Sequence, residues 1–183
     1  MERQQIIKEL RNRLPNQKLF EHALAMESIM IDLAQLLNEN PFRWGIVGLM
    51  HDIDIGGIYS NEDDNDVHGE EILESMGFDS TIIYAVKAHN DKSGLERRRK
   101  IDKAIHCADQ ASLLIMASVM AKKSKKITGI NISNILKNFE NEDFAPDISR
   151  IKIRGCEQLG MSVEKFLYIC FEAMLKVSES IGL

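Results

Sequence analysis

The stretch Gly48-Leu49-Met50-His51-Asp52-Ile53-Asp54 places an imidazole beside a carboxylate at the end of an apolar run, Trp44 to Met50. These apolar flanks predict that the His-Asp pair is buried. A buried carboxylate is costly unless a cation compensates for it, and neutral imidazole and carboxylate are both good metal ligands. The stretch therefore predicts a short buried helix over 42–52 that ends in a metal site, with Asp54 close enough to serve as a catalytic acid or base.

Composition limits the class of protein. The chain has 183 residues, of which 44% are hydrophobic and 28% charged, so one domain can bury a core and stay soluble. Its net charge of −5 argues against a general nucleic-acid-binding protein. The three cysteines form no C-x-x-C pair, which disfavours a disulfide framework or a cysteine zinc site. With no apolar run of about 18 residues and no apolar leader, we expect a cytoplasmic protein without a membrane partner.

Hydrophobic periodicity predicts helices along the chain and no convincing strand. Apolar residues recur at helical spacing over 17–38 and 98–121, the latter being the longest predicted buried helix. A further single helix is predicted over 147–159. The fold class expected is all-α, a single-domain helical bundle.

Several histidines and acids lie in the predicted helices, and each has an ordinary structural explanation when taken alone. His22 suits a core histidine bonded to a neighbour, His68 a solvent-facing side chain, and His89 a polar helix end. Asp109 lies in the buried wall of the longest helix and needs a partner, either a helix end or His106. Together they predict a centre in which several helices point imidazoles and carboxylates inward, as helical bundles build metal sites.

The order H…HD…D resembles the HD superfamily of metal-dependent phosphohydrolases. The resemblance lies in Glu21-His22-Ala23, in Met50-His51-Asp52 and in Cys107-Ala108-Asp109. His68 and His89 are similar to the extra histidines of HD proteins that hold two metal ions. Subgroups with this layout include small bacterial hydrolases of symmetrical diadenosine tetraphosphate.

The resemblance implies which of these residues would hold each metal ion. One ion would be held by His22, His51, Asp52 and Asp109, and Asp52 would bridge to a second ion completed by His68 and His89. The donors suit Mn, Fe, Co, Ni or Zn equally well. Residues 1–125 would form the HD-type core, and residues 126–183 a C-terminal helical extension packing on it. The implied activity is hydrolysis of a nucleotide or related small phosphorylated metabolite by a metal-activated water, with Asp52 and Asp54 as catalytic residues.

One position departs from the family pattern. Many HD enzymes carry a lysine three residues after the motif aspartate, where this chain has Ile55. Phosphate binding is then expected from a nearby cation, and the candidates are Lys87, Lys92, Arg97 and Arg98.

Two other functions remain open at this stage: a di-iron oxygenase of the HD fold and a non-catalytic ligand-sensing HD module. The basic runs 97–100 and 122–126 leave nucleic-acid binding as a minor option. Homo-oligomer formation is also left open.

Overall fold

The computed structural model describes residues 2–14, 16–53 and 68–183. These residues form nine α-helices and contain no strand, which confirms the all-α prediction. The helices are α1 (Arg3–Arg13), α2 (Gln17–Leu36), α3 (Pro41–Met50), α4 (His68–Ser75), α5 (Ser80–His89), α6 (Lys100–Met120), α7 (Ile132–Glu140), α8 (Arg150–Arg154) and α9 (Val163–Lys176). Short 3-10 turns occupy Asp91–Ser93, Ile127–Gly129 and Gly155–Leu159.

Side-chain caps fix where the helices near the centre begin. The Asn16 side chain accepts a hydrogen bond from the Leu19 amide, and the Asn40 side chain accepts one from Arg43. Asp79 caps α5 in the same way, through the Thr81 and Ile82 amides. Each cap satisfies amides that would otherwise lack an intrahelical partner. The starting points of α2, α3 and α5 follow from these residues.

Helices α2 and α3 form the most extensive contact in the fold. Gly48 makes their close approach possible, because a Cβ atom at this position would lie only 2.5 Å from the carbonyl oxygen of Met26. That distance is far inside van der Waals contact, so only glycine fits without a shift of backbone. As a result, the end of α3 is held against α2 at the level of His22.

The C-terminal part of the chain packs on the same hydrophobic core. Helix α9 contacts α2, α6 and α7, and its Phe166, Leu167 and Cys170 are fully buried. The domain boundary at residue 125 stays a prediction. The expected single helix over 147–159 is instead the five-residue α8 followed by a 3-10 turn. At this junction Gly155 passes so close to Cys107 that a Cβ atom would lie 3.0 Å from its sulfur.

Among the described residues, no helix combines the length and the apolar character that a membrane span requires.

Candidate metal centre

Four different parts of the bundle deliver side chains to one point in its interior. His22 comes from α2, His51 and Asp52 from the turn that follows α3, His89 from the last position of α5, and Asp109 from the middle of α6. His51 is completely buried, while the side chains of Asp52 and Asp109 keep 17% and 23% of their exposure. Within the described residues, the cluster is therefore buried on the histidine side and partly exposed on the carboxylate side.

The distances between donor atoms match those between ligands of a single ion. His22 Nε2 lies 3.2 Å from His51 Nε2 and 3.3 Å from Asp109 Oδ1. His51 Nε2 lies 3.3 Å from Asp52 Oδ2. The two remaining recorded pairs, His22 with Asp52 and His51 with Asp109, are 4.0 and 3.9 Å apart. Donors at about 2.0–2.2 Å from a transition metal are roughly 3.0–3.4 Å apart when adjacent. His22, His51 and Asp52 offer donor atoms that all lie within 4.8 Å of one another, so these three residues fit one divalent ion, and Asp109 lies beside their two imidazoles.

The carboxylate of Asp52 faces two ways. Its Oδ2 atom points to His51, whereas its Oδ1 atom lies 3.5 Å from His89 Nε2. A carboxylate with an imidazole at each oxygen has the arrangement needed to bridge two neighbouring ions.

The other nitrogen of each imidazole is engaged by a fixed partner. His51 Nδ1 lies 2.8 Å from the carbonyl oxygen of Gly48, and His89 Nδ1 bonds the carbonyl oxygen of Val86. His22 Nδ1 lies 3.4 Å from the hydroxyl of Ser112. Donation from Nδ1 leaves Nε2 of the neutral ring as the acceptor, so all three Nε2 atoms are presented to the cluster.

Sequence reasoning did not identify Ser112 as part of the site. Its hydroxyl donates to the carbonyl oxygen of Asp109, one turn earlier on α6, which leaves an oxygen lone pair for His22. The available signal was its spacing: residues three apart share a helix face, and Ser112 is a fully buried polar residue on the face of Asp109.

Opposite charges inside the cluster shift the pKa values of its imidazoles and carboxylates. Burial lowers the pKa of His51, but the charges of Asp52 and Asp109 outweigh burial and raise this pKa to about 9. Burial raises the pKa of Asp109, but the hydrogen bond and charge of His22 and the charge of His51 lower it to about 2. The pKa of Asp52 lies well below its usual value, because His51 and His89 outweigh the effect of burial. The two carboxylates thus stabilise positive charge at the point that the imidazoles surround.

Two predicted site residues are not placed. Asp54 lies outside the described residues, and so does the side chain of His68, although the backbone of His68 begins α4. Asp109 pairs with His22, which was neither of the two partners expected from the sequence, a helix end or His106. His106 is directed away from the cluster, and its Nδ1 lies 3.1 Å from the carbonyl oxygen of His89.

The four candidate phosphate-binding cations differ in position. Lys87 and Lys92 line a cavity of about 250 Å³ that has His89 on its wall, and Lys87 forms an ion pair there with Glu70. Arg97 is turned to the back of α5, where it bonds the carbonyl oxygen of Ala88. Arg98 is 71% exposed, pairs with Glu96 and lies near the opposite end of α5. The geometry therefore brings Lys87 and Lys92 toward the cluster, and not Arg97 or Arg98.

Comparison with known proteins agrees with this geometry. The family model described as HD domain matches residues 19–117, a region that contains all six predicted ligands. An uncharacterized protein of Methanocaldococcus jannaschii is 25% identical over 161 residues, covering 82% of this chain and 93% of that protein. No solved structure gives a significant match. The motif order, the helical fold and the family match lead to one conclusion: the chain belongs to the HD domain family.

Proposed function

We propose that this protein is a metal-dependent phosphohydrolase that acts on a nucleotide or a related small phosphorylated metabolite. HD domain proteins are mostly metal-dependent phosphohydrolases. The observation that carries the proposal is the convergence of His22, His51, Asp52 and Asp109, whose donor atoms lie 3.2–4.0 Å apart in each recorded pair. A donor set of this kind suits an ion such as Mn, Fe, Co, Ni or Zn.

Each side chain has a role in this proposal. His22, His51, Asp52 and Asp109 would hold the first ion, and Asp52, His89 and His68 would hold the second. Bound divalent ions supply a water of lowered pKa and neutralise charge on phosphoryl oxygens. Asp54, two residues after Asp52, is proposed as the group that takes or returns a proton during hydrolysis.

The cavity beside His89 is the proposed substrate site. It is lined by Lys87, Asn90, Lys92 and Leu95 among others, so it offers cations, an amide and an apolar wall. Lys87 is paired with Glu70, which leaves the exposed Lys92 as the stronger candidate for a phosphate oxygen. In this proposal the ammonium group of Lys92 has the role of the motif lysine, whose position is occupied by Ile55 in this chain.

The test combines metal analysis with a substrate screen. Purified protein should contain at least one divalent transition metal ion per chain and release phosphate from one or more nucleotides or phosphorylated metabolites. Asp52→Asn should lose both properties while keeping the helical circular dichroism spectrum. Asp143→Asn is the matched control, because Asp143 is exposed and lies between α7 and α8.

Two outcomes would contradict the proposal. Full metal content in Asp52→Asn would remove this carboxylate from the ligand set. Iron-dependent oxygen uptake, without phosphate release from any compound of the screen, would favour the oxygenase instead.

A further inference from the structure

The last turn of α5 is fixed by residues that do not belong to the metal cluster. A helix C-terminus leaves carbonyl groups without intrahelical partners. Here the carbonyl oxygen of Ala88 accepts a hydrogen bond from Arg97 Nε at 2.9 Å, and that of His89 accepts one from His106 Nδ1 at 3.1 Å. Arg97 Nη2 is also within 3.5 Å of the His89 carbonyl oxygen. The backbone at His89 is therefore held by hydrogen bonds from Arg97 and His106.

A single carboxylate connects this arrangement to the C-terminal part of the chain. Asp91, in the 3-10 turn that follows α5, forms ion pairs with Arg97 and Lys152. Its carboxylate lies 2.5 Å from Arg97 Nη2 and 2.5 Å from Lys152 Nζ. His106 Nε2 is 3.9 Å from the same carboxylate. Lys152 belongs to α8, which otherwise contacts α6 and the 3-10 turn after it. Contacts therefore run from α8 through Asp91 and Arg97 to the carbonyl groups at the end of α5.

We propose that Arg97 is a positioning residue for His89, and that Lys152 of α8 supports it through Asp91, so that the C-terminal segment helps to orient one side of the metal centre. The proposal rests on the proposed function for the statement that His89 binds an ion. It assigns Arg97 a role different from phosphate binding, since the Nε and Nη2 donors of its guanidinium are directed to Ala88, His89 and Asp91.

The imidazole of His89 is sensitive to this part of the backbone for a geometric reason. Its Nδ1 is bonded to the carbonyl oxygen of Val86, one turn earlier, so the ring orientation follows the last turn of the helix. The contact between His89 Nε2 and Asp52 Oδ1 is 3.5 Å long. If the last turn frayed, the ring would move away from Asp52.

The expected effects are graded by distance from His89. Removing a group that orients a metal-binding histidine costs about 10- to 100-fold in metal affinity, so Arg97→Met should weaken binding of the ion at His89 by at least about 10-fold. Asp91 is half exposed, and exposed ion pairs contribute little. Lys152→Met should therefore weaken binding of the same ion by only about threefold.

The first experiment uses the metal-free protein and needs no activity. The five imidazoles are followed by nitrogen-15 NMR in wild type, Arg97→Met, Lys152→Met and Lys152→Arg, with assignments from single histidine variants. We expect the His89 and His106 signals to shift in Arg97→Met and, less, in Lys152→Met, while the His22 and His51 signals stay. Lys152→Arg should restore the wild-type positions, because it keeps the cation at Asp91.

Lys103→Met provides the matched control. Lys103 lines the same cavity as Arg97, His106 and Lys152, but it forms no ion pair with a described residue. Its removal changes the charge of the cavity without touching Asp91, so the His89 signal should not move. An unchanged His89 signal in both Arg97→Met and Lys152→Met, or an equal shift in Lys103→Met, would overturn the proposal.

The second experiment is a calorimetric titration of the same variants with Mn²⁺. Weaker binding of one ion, with the other unchanged, is the expected result for Arg97→Met. If wild type binds no second ion, the two-ion part of the proposed function fails, whereas the NMR comparison still decides whether Arg97 positions His89. If Arg97→Met does not fold, the His89 signal in Lys152→Met and Asp91→Asn decides the question, because these two variants alter side chains that are about one third and one half exposed.

Discussion

The Nε2 atoms of His22 and His51 lie 3.2 Å apart in the interior of the protein, although 29 positions separate the two residues in the chain. Each ring uses its Nδ1 in another contact, with Ser112 or with the carbonyl oxygen of Gly48. Two acceptor nitrogens at this distance repel each other unless a proton or a metal ion lies between them. The pair is therefore the part of the fold that most directly indicates a cation site.

The first prediction separates the two proposed ions. His51→Ala removes a donor that lies within 4 Å of Asp52, Asp109 and His22, so it should abolish binding of the first ion and phosphate release together. His89→Ala removes a donor that contacts only Asp52 among these residues, so it should reduce metal content from two ions per chain to one. Elemental analysis of the purified variants measures their metal content, and an assay of phosphate release measures their activity.

Two ions per chain in either variant would contradict this assignment. So would a wild-type protein that never exceeds one ion per chain under saturating metal, since His89 would then have no ion of its own to lose.

The second prediction concerns removal of the metal. Binding to the folded state alone stabilises it by about 2.7 kcal/mol when the free ion is at 100 times its Kd. For a domain of this size such a change corresponds to a shift in Tm of roughly 5 to 10 °C. A chelator should therefore lower the Tm of the wild type by this amount, and added Mn²⁺ should restore it.

Asp52→Asn provides the comparison for the chelator experiment. Since this variant should bind no first ion, the chelator should leave its Tm nearly unchanged. A fall in Tm as large as that of the wild type would mean that the stabilising ion binds elsewhere.

The helical fold and most of the candidate site were predictable, because both depend on local patterns. Apolar spacing located α2 and α6, and the same spacing put His22 and Asp109 on the faces that turn inward. His51 was marked by its apolar flank. The histidine and aspartate residues of an HD motif also occur in a fixed order, so the resemblance could assign them before any contact was known.

The partners that orient these residues were not predictable. The carbonyl oxygens that fix His51 and His89 belong to backbone turns and carry no sequence signal. Arg97 belonged to a basic run, and a basic run alone does not reveal whether an arginine faces solvent, a phosphate or a helix end. For Asp109 the choice between partners depended on the packing of α6 against α2, which local periodicity does not specify.

The third prediction concerns the cysteines. Cys107, Cys156 and Cys170 are free and buried, and burial raises the pKa of Cys107 to about 12 and that of Cys156 to about 11. Because the thiolate is the reactive form, a thiol reagent at pH 8 should label native protein slowly and all three thiols quickly in denaturant. Fast labelling of the native protein would show that this region opens.

The raised pKa values also predict a dependence of stability on pH. A thiol whose pKa is higher in the folded state than in the unfolded state does not oppose folding as long as it is protonated in both states. Above pH 9 the unfolded chain ionises first, so stability should fall as pH rises from about 9 to 12. Cys107→Ala should reduce the slope of Tm against pH in this range.

The fourth prediction compares two glycines of the same helix. In Gly48→Ala the new Cβ would meet the backbone of Met26 at 2.5 Å, so α3 must move away from α2. Overpacking of this kind costs about 1–3 kcal/mol, and the shift displaces His51 from His22. Gly48→Ala should therefore lower both Tm and the affinity for the first ion. In Gly45→Ala the new Cβ would meet side chains and no backbone, with Ile31 Cγ1 at 3.0 Å and Glu27 Cγ at 3.5 Å, so a small shift of the Ile31 side chain makes room for it. Alanine is also the better helix former by about 1 kcal/mol, so Gly45→Ala should be near neutral in stability and bind metal like wild type. Equal losses of metal affinity in the two variants would show that the close approach at Gly48 does not set the geometry of the centre.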